Sequence, residues 1–172
     1  MTLFRVRLRQ RSYLESALYV IIAGALAALL LHRLQQLSEV AEKTAMEATV
    51  ASLQSALYVR AAKAVLTGQA EEVVRDWAQR NPVLLAHADL PNYLGDFERP
   101  DLTALESGNW LYDRGRHELV YLVRRAQDFS GGTDPVPAIR FRLQVERTPS
   151  GAYSPYLLHP ATPYEWGPDG GE

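Results

Sequence analysis

Apolar and polar positions divide this chain into stretches of different period. From Ser16 to Leu31 the sequence reads SALYVIIAGALAALLL, with no charged side chain. Extended back to Ser12 the stretch reaches 20 residues. At about 1.5 Å per residue, that length covers the roughly 30 Å hydrocarbon core of a bilayer. The pattern predicts a transmembrane helix over 12–31, with Glu15 one turn inside its start and His32-Arg33 just beyond its end. A buried helix of a soluble protein and a cleaved signal peptide are the other readings of such a run. Buried helices rarely run so far without a polar break. A signal peptide needs small residues after its apolar run. Here Ala23-Gly24-Ala25 and Ala25-Leu26-Ala27 lie inside the run, and Leu29-Leu30-Leu31 follow them. An uncleaved anchor is the expectation.

Behind the anchor, residues 32–66 are rich in Ala, Leu, Glu, Gln and Lys, all good helix formers, and no proline occurs between Ser12 and Thr67. Leu30, Leu34, Leu37, Ala41, Thr44, Ala48 and Ala51 follow a 3-4 alternation, and Leu53, Leu57 and Ala61, joined by Tyr58 and Val65, make a second apolar line. Thr67-Gly68 is a stop signal. One helix of about 55 residues, roughly 80 Å long, is predicted, with its exported part over 32–67. Ala41, Ala45, Ala48 and Ala51 would let another element approach closely, either the chain's own domain or a helix of a neighbouring subunit.

A short helix is expected over 70–80, with Val73, Val74 and Trp77 on one face and Asn81-Pro82 ending it. Residues 82–108 hold Pro82, Pro91, Gly95, Pro100 and Gly108 and read as an irregular connector pinned by Leu and aromatic side chains. The β signal follows, over 109–147. Two β-rich runs, Asn109 to Tyr112 and Glu118 to Val123, flank Asp113-Arg114-Gly115-Arg116 and predict a hairpin. From Ala138 to Arg147 the alternation places Ile139, Phe141, Leu143 and Val145 on one face and Arg140, Arg142, Gln144 and Glu146 on the other. An antiparallel sheet of three or four strands is expected, its apolar face against the second half of the long helix. The Pro- and Gly-rich tail, 148–172, reads as extended and irregular. The fold class is therefore α+β: a long N-terminal helix, transmembrane then exported, packed on a small antiparallel β-sheet.

Charge supplies the orientation. Arg5, Arg7, Arg9 and Arg11 precede the span with no acid among them, whereas Arg33 and Lys43 after it are balanced by Glu39, Glu42 and Glu47. The positive-inside rule puts residues 1–11 in the cytoplasm and the domain outside. Over the whole chain 18 Lys+Arg meet 20 Asp+Glu, a net charge of −2, which gives no electrostatic case for nucleic acid. Cysteine is absent, which excludes disulfides, thiolate metal sites and a Cys nucleophile. His32, His87, His117 and His159 show no metal-ligand spacing, and no nucleophile-elbow, phosphate-loop or zinc-protease motif is present. Neither an enzyme nor a cofactor is expected. Asp96, Glu98, Asp101, Asp128 and Asp134 read as solvated loop carboxylates rather than as calcium ligands. Arg140 and Arg142, with Arg124, Arg125 and Arg147, read as the wet face of the sheet. Glu15 stands apart. At the centre of a membrane a carboxylate costs roughly 2.5–3.5 kcal/mol. Near the edge it costs less, and it serves either as a local partner of Arg11 or as a device that registers one helix against a neighbour.

The run Arg11-Ser12-Tyr13-Leu14-Glu15, the apolar half-helix after it and the Trp110-Leu111-Tyr112-Asp113 strand with its hairpin resemble type IV pilins and type II secretion pseudopilins. The resemblance covers the general plan of residues 5–147. It implies a helix continuing from the membrane into a domain whose small sheet packs on it. It also implies that Glu15, Ala41, Ala45 and Ala48 contact partner subunits. Prepilin peptidase of that family cleaves after Gly, and Gln10 and Arg11 stand at that junction here. An unprocessed accessory member is therefore implied, similar to the pilin-like biogenesis proteins of mannose-sensitive haemagglutinin pili (the MshF type). Its partners would be the lipid bilayer and other pilin-like subunits or assembly-platform proteins. An inner-membrane assembly-platform protein and a small periplasmic ligand-binding or sensor module are the alternative readings. The platform type is disfavoured because here the helices precede the strands.

Overall fold

A computed structural model describes residues 3–68, 77–144 and 157–167. Helix α1 runs Leu3–Leu66 as one α-helix. It begins before Ser12 because the Leu, Arg and Gln of its first turns are good helix formers. Its end lies where the stop signal predicts it. Thr67 N–H donates to Lys63 O, and Gly68 takes φ +77, the left-handed turn that terminates a helix.

The chain divides into two units, residues 1–38 and 39–172. In the first, the described side chains from Tyr13 to Leu37 are all exposed, among them Leu18, Tyr19, Val20, Ile21 and Leu26. This part of α1 is long and apolar enough to cross a membrane. Arg5, Arg7, Arg9 and Arg11 fall on α1, and their side chains lie outside the described residues.

In the second unit α1 is the spine. The side chains it buries are Met46, Val50, Leu53, Leu57, Ala61 and Ala64, again at spacings of three and four. Leu53, Leu57 and Ala61 are the second line of the sequence pattern. Ala41, Ala48 and Ala51 of the first line, and Ala45 beside it, are exposed, so they do not rest on the chain's own sheet.

Among the described residues seven strands follow: β1 Tyr93–Phe97, β2 Trp110–Asp113, β3 Glu118–Leu122, β4 Phe129–Gly131, β5 Ala138–Gln144, β6 Leu157–Pro160 and β7 Tyr164–Trp166. Five of them form one sheet in the order β1-β2-β3-β5-β6, and β4 and β7 form a separate ribbon. The expected hairpin is present, with Asp113 opposite Glu118 across the four-residue turn. The sheet is mixed rather than antiparallel, because β1 pairs parallel to β2.

Three other expectations change. The connector 82–108 holds regular structure: helix α2, Pro82–Ala86, strand β1, and a 3-10 turn at Leu102–Ala104. Asn81-Pro82 starts a helix, since Asn81 Oδ1 accepts from Val83 N–H and Pro82 occupies the first position, where its missing N–H costs nothing. Of the helix expected over 70–80, Trp77–Gln79 is a 3-10 turn and residues 70–76 lie outside the described residues. The tail is not irregular throughout, because β6 extends the main sheet and β7 carries the buried Trp166. Residues 145–147 and the rest of the tail lie outside the described residues.

Period-two alternation gives the sheet two cores. Trp110, Leu119, Tyr121, Ile139, Phe141 and Leu143 face α1. On the far side Leu111, Val120, Leu122 and Ala138 pack under Leu102, with Phe97, Leu105 and Val136 at the margin. Leu57 and Val120 have no exposed surface at all. Burial of one such side chain stabilises by roughly 1.5–3 kcal/mol.

Candidate interaction surfaces and an arginine-lined cleft

Four polar assemblies sit on this frame. The first ties α1 to the chain that follows β3. Glu39 is only 2 % exposed. Its Oε1 accepts from the Trp166 indole N–H at 3.0 Å and from Asp128 N–H at 3.1 Å. One turn later Glu42 accepts from Tyr121 OH (3.0 Å), Arg124 N–H (2.7 Å) and Arg125 N–H (3.0 Å), and Lys43 Nζ donates to Trp166 O at 2.7 Å. The carboxylates thus satisfy backbone donors that no strand pairs. In the sequence Glu39, Glu42 and Lys43 entered only the charge balance that orients the span. The signal that identifies Glu39 and Lys43 is their place on the buried stripe, since they continue the spacing of Met46 and Val50 backwards.

The second assembly occupies the outer face of the sheet. Arg140 is 6 % exposed. Its guanidinium donates to Asp134 Oδ2 and Oδ1 (2.7 and 2.9 Å), to Asp113 Oδ2 (3.0 Å) and to Glu118 Oε2 (3.2 Å). Arg142 donates to the other oxygen of Glu118. Strand register brings them together: Asp113 pairs with Glu118, and Val120 pairs with Arg140. Burial alone would lower the Arg140 pKa. The hydrogen bonds to Asp134 and Asp113 reverse that and hold it above the ordinary arginine value. The expected wet basic face is therefore a buried ion network at Arg140, and Asp134 is an ion-pair partner rather than a solvated loop carboxylate. A single arginine on a period-two strand carries no sequence sign that three acids from elsewhere will meet it.

The third is the outward line of α1. Ala41, Thr44, Ala48, Ala51, Ser55, Tyr58, Ala62 and Val65 repeat at alternating intervals of three and four, and all are exposed. None is charged. The hydroxyls of Thr44 and Ser55, and of Thr49 beside the line, donate to the carbonyls of Val40, Ala51 and Ala45 four residues back. The hydroxyls of Thr44, Thr49 and Ser55 are thereby satisfied within the helix. Ala45 flanks this line and is also exposed, as is Glu15 in the first unit.

The fourth is a cleft of about 490 Å³ where the end of α1, α2, β1 and the β2–β3 turn meet. Arg60, Arg80, Arg114, His87 and His117 supply its polar rim, and Leu84 and Leu85 an apolar wall. Asp96 is its carboxylate, and Oδ1 of Asp96 accepts from Asn81 Nδ2 (2.6 Å) and from Tyr93 OH. Tyr112, at the floor, donates to Gln79 O at 3.1 Å. Arg60 Nη1 donates to Leu85 O, which fixes the guanidinium at the α2 side. Nothing in the sequence pattern pointed here, because the lining residues come from four separate segments.

Three tyrosines of these assemblies hold their protons tightly. Burial, followed by the Asp96 charge, pushes Tyr112 up to about 12. Burial also raises Tyr93, with the hydrogen bond to Asp96 adding to it, and Tyr121, with the Glu42 charge adding to it. A group whose folded pKa is raised contributes stability that is complete below its unfolded value and is lost as pH climbs through the folded one. Stability should therefore hold up to about pH 10, the ordinary tyrosine value, and fall progressively above it. Ultraviolet titration of the phenolates should show tyrosines that ionise only as circular dichroism is lost. Full ionisation near pH 10 with the fold intact would contradict the hydrogen bonding described.

Comparison with protein-family models, with curated proteins and with solved structures finds no match. Among the described residues no group of three His, Cys, Asp or Glu side chains stands close enough to hold a metal ion.

Proposed function

We propose that the chain is a membrane-anchored, pilin-like accessory component of a bacterial type IV pilus or type II secretion machine. It would sit in the inner membrane with its N-terminus in the cytoplasm and its folded unit in the periplasm, and it would act in assembly by contacts with partner subunits. The observation that carries the reading is the outward line of α1. Eight uncharged positions at 3-4 spacing, from Ala41 to Val65, stand exposed on a helix whose opposite side is fully used by its own sheet. Small residues with satisfied hydroxyls let a second helix come close without burying a charge or an unpaired donor. The apolar stretch of α1 before Leu31 supplies the anchor, and Glu15 the carboxylate that would register it against a neighbour.

The reading predicts that a strain lacking the chain loses surface pili or secreted substrate, and that wild type restores the function while Ala48→Lys, present at normal level, does not. Normal piliation and secretion in the deletion strain would sink it. Because the chain has no cysteine, introduced ones report cleanly. A photo-crosslinking maleimide attached in membranes to Ala41→Cys, Ala48→Cys or Ser55→Cys should give cross-linked species, and attached to Glu106→Cys, in an exposed loop, should not. Equal cross-linking at Glu106 would remove the helix line from consideration. For Glu15, assembly unchanged by Glu15→Gln would leave it a local interfacial charge.

A further inference from the structure

We propose that the cleft between the end of α1, α2 and the β2–β3 turn is a binding site for a small ligand with an oxyanion head, carboxylate or phosphate, and a short apolar body. Its volume, about 490 Å³, lies within the roughly 300–1,000 Å³ of small-ligand pockets. It is concave, and it is built from separate segments that the fold holds in place, not from one flexible loop.

Its charge favours an anion. Arg60 and Arg114 both reach the lining and both are exposed. Arg60 is anchored by one N–H to the Leu85 carbonyl, so its remaining donors are held in position. Arg114 pairs with Glu98 at 3.7 Å, a loose contact between groups 55 % and 74 % exposed, which a ligand displaces at little cost. The lining acid, Asp96, is already engaged by Asn81 and Tyr93, which directs its charge toward the wall and not toward a ligand. A planar guanidinium matches carboxylate and phosphate oxygens two at a time. Beside these donors Leu84 is 63 % exposed, an apolar surface that suits the ligand's body.

This site shares no residue with the outward line of α1, so it stands or falls separately from the assembly reading. The test is calorimetric titration of the full-length chain in non-ionic detergent with four probes: succinate, inorganic phosphate, an acetylated and amidated Ala-Glu-Leu peptide, and the neutral diamide of succinate. Saturable binding of an anionic probe is expected, with none for the diamide. Arg114→Gln and Arg60→Gln should each weaken it about tenfold. Arg114 lies on an exposed turn, so its replacement tests the site without loss of the fold, which circular dichroism checks. Preference for succinate or phosphate identifies a free acid as the source. Preference for the peptide identifies an acidic side chain of another polypeptide. No saturable binding of any anionic probe, equal binding of the diamide, or unchanged affinity in both arginine variants would overturn the proposal.

Discussion

Arg140→Met should destabilise the folded unit by about 3–5 kcal/mol, a large fraction of the roughly 5–15 kcal/mol that holds a domain folded. The reason is what remains. Asp113, Glu118 and Asp134, with side chains 5, 5 and 8 % exposed, lose the cation they share. Three carboxylates within hydrogen-bond reach of one point then repel one another where water cannot screen them. The methionine fits the space, so the loss is electrostatic rather than a cavity. A second variant separates the two causes. Arg140→Met combined with Asp113→Asn, Glu118→Gln and Asp134→Asn removes both signs of charge and should recover at least half of the loss. Thermal melts of the full-length chain in detergent, followed by near-ultraviolet circular dichroism, read both. A single variant that melts like wild type would mean that Arg140 is not the cation holding this face together.

The second large effect is expected at Trp166. Trp166→Ala should cost about 3–5 kcal/mol. The ring is 2 % exposed and lies 6.0 Å edge-on from Phe129 and 6.4 Å from Tyr121. Its removal opens a cavity, strips the buried Glu39 carboxylate of its indole donor, and loosens β7, which pairs with β4 through Trp166 and Phe129. Trp166→Phe keeps most of the volume but not the N–H, and should cost about 1–3 kcal/mol for the one donor of two that the buried Glu39 Oε1 loses. Equal losses in the two variants would place the whole effect on the Glu39 hydrogen bond.

Both residues show where a sequence can be read and where it cannot. The long helix, the β2–β3 hairpin and β5 were legible because local signals agree: an unbroken run of helix formers, two β-rich runs around a Gly-containing turn, and clean alternation over Ala138 to Gln144. β1 escaped because it has Gly95 at φ +106 in its centre and joins β2 through only three paired positions. β6 and β7 escaped because the prolines around them were read as excluding strands. Proline excludes only the middle of a sheet, and β6 is an outermost strand whose Pro160 is its last residue. On α1 the alternation of Leu30 through Ala51 was visible, but the two sides of the helix carry similar periods. Only the sheet's position shows that Met46, Val50 and Leu57 are the covered side and Ala41 and Ala48 the open one. Of the candidate surfaces, the alanine line was therefore legible and the cleft was not. Its lining brings Arg60 beside Arg114 through tertiary structure, and no spacing along the chain encodes that.

The order of strands has a consequence for how such chains can accumulate. A sheet polymerises when a bare outermost strand offers its row of N–H and C=O groups as a template to another molecule. Here one rim is β6, four residues long and closed by Pro160, which lacks an N–H. The other rim is β1, five residues interrupted by a left-handed glycine. Neither presents a long, regular ladder. Crowding of many copies at one place therefore does not invite runaway fibril growth through the five-stranded sheet.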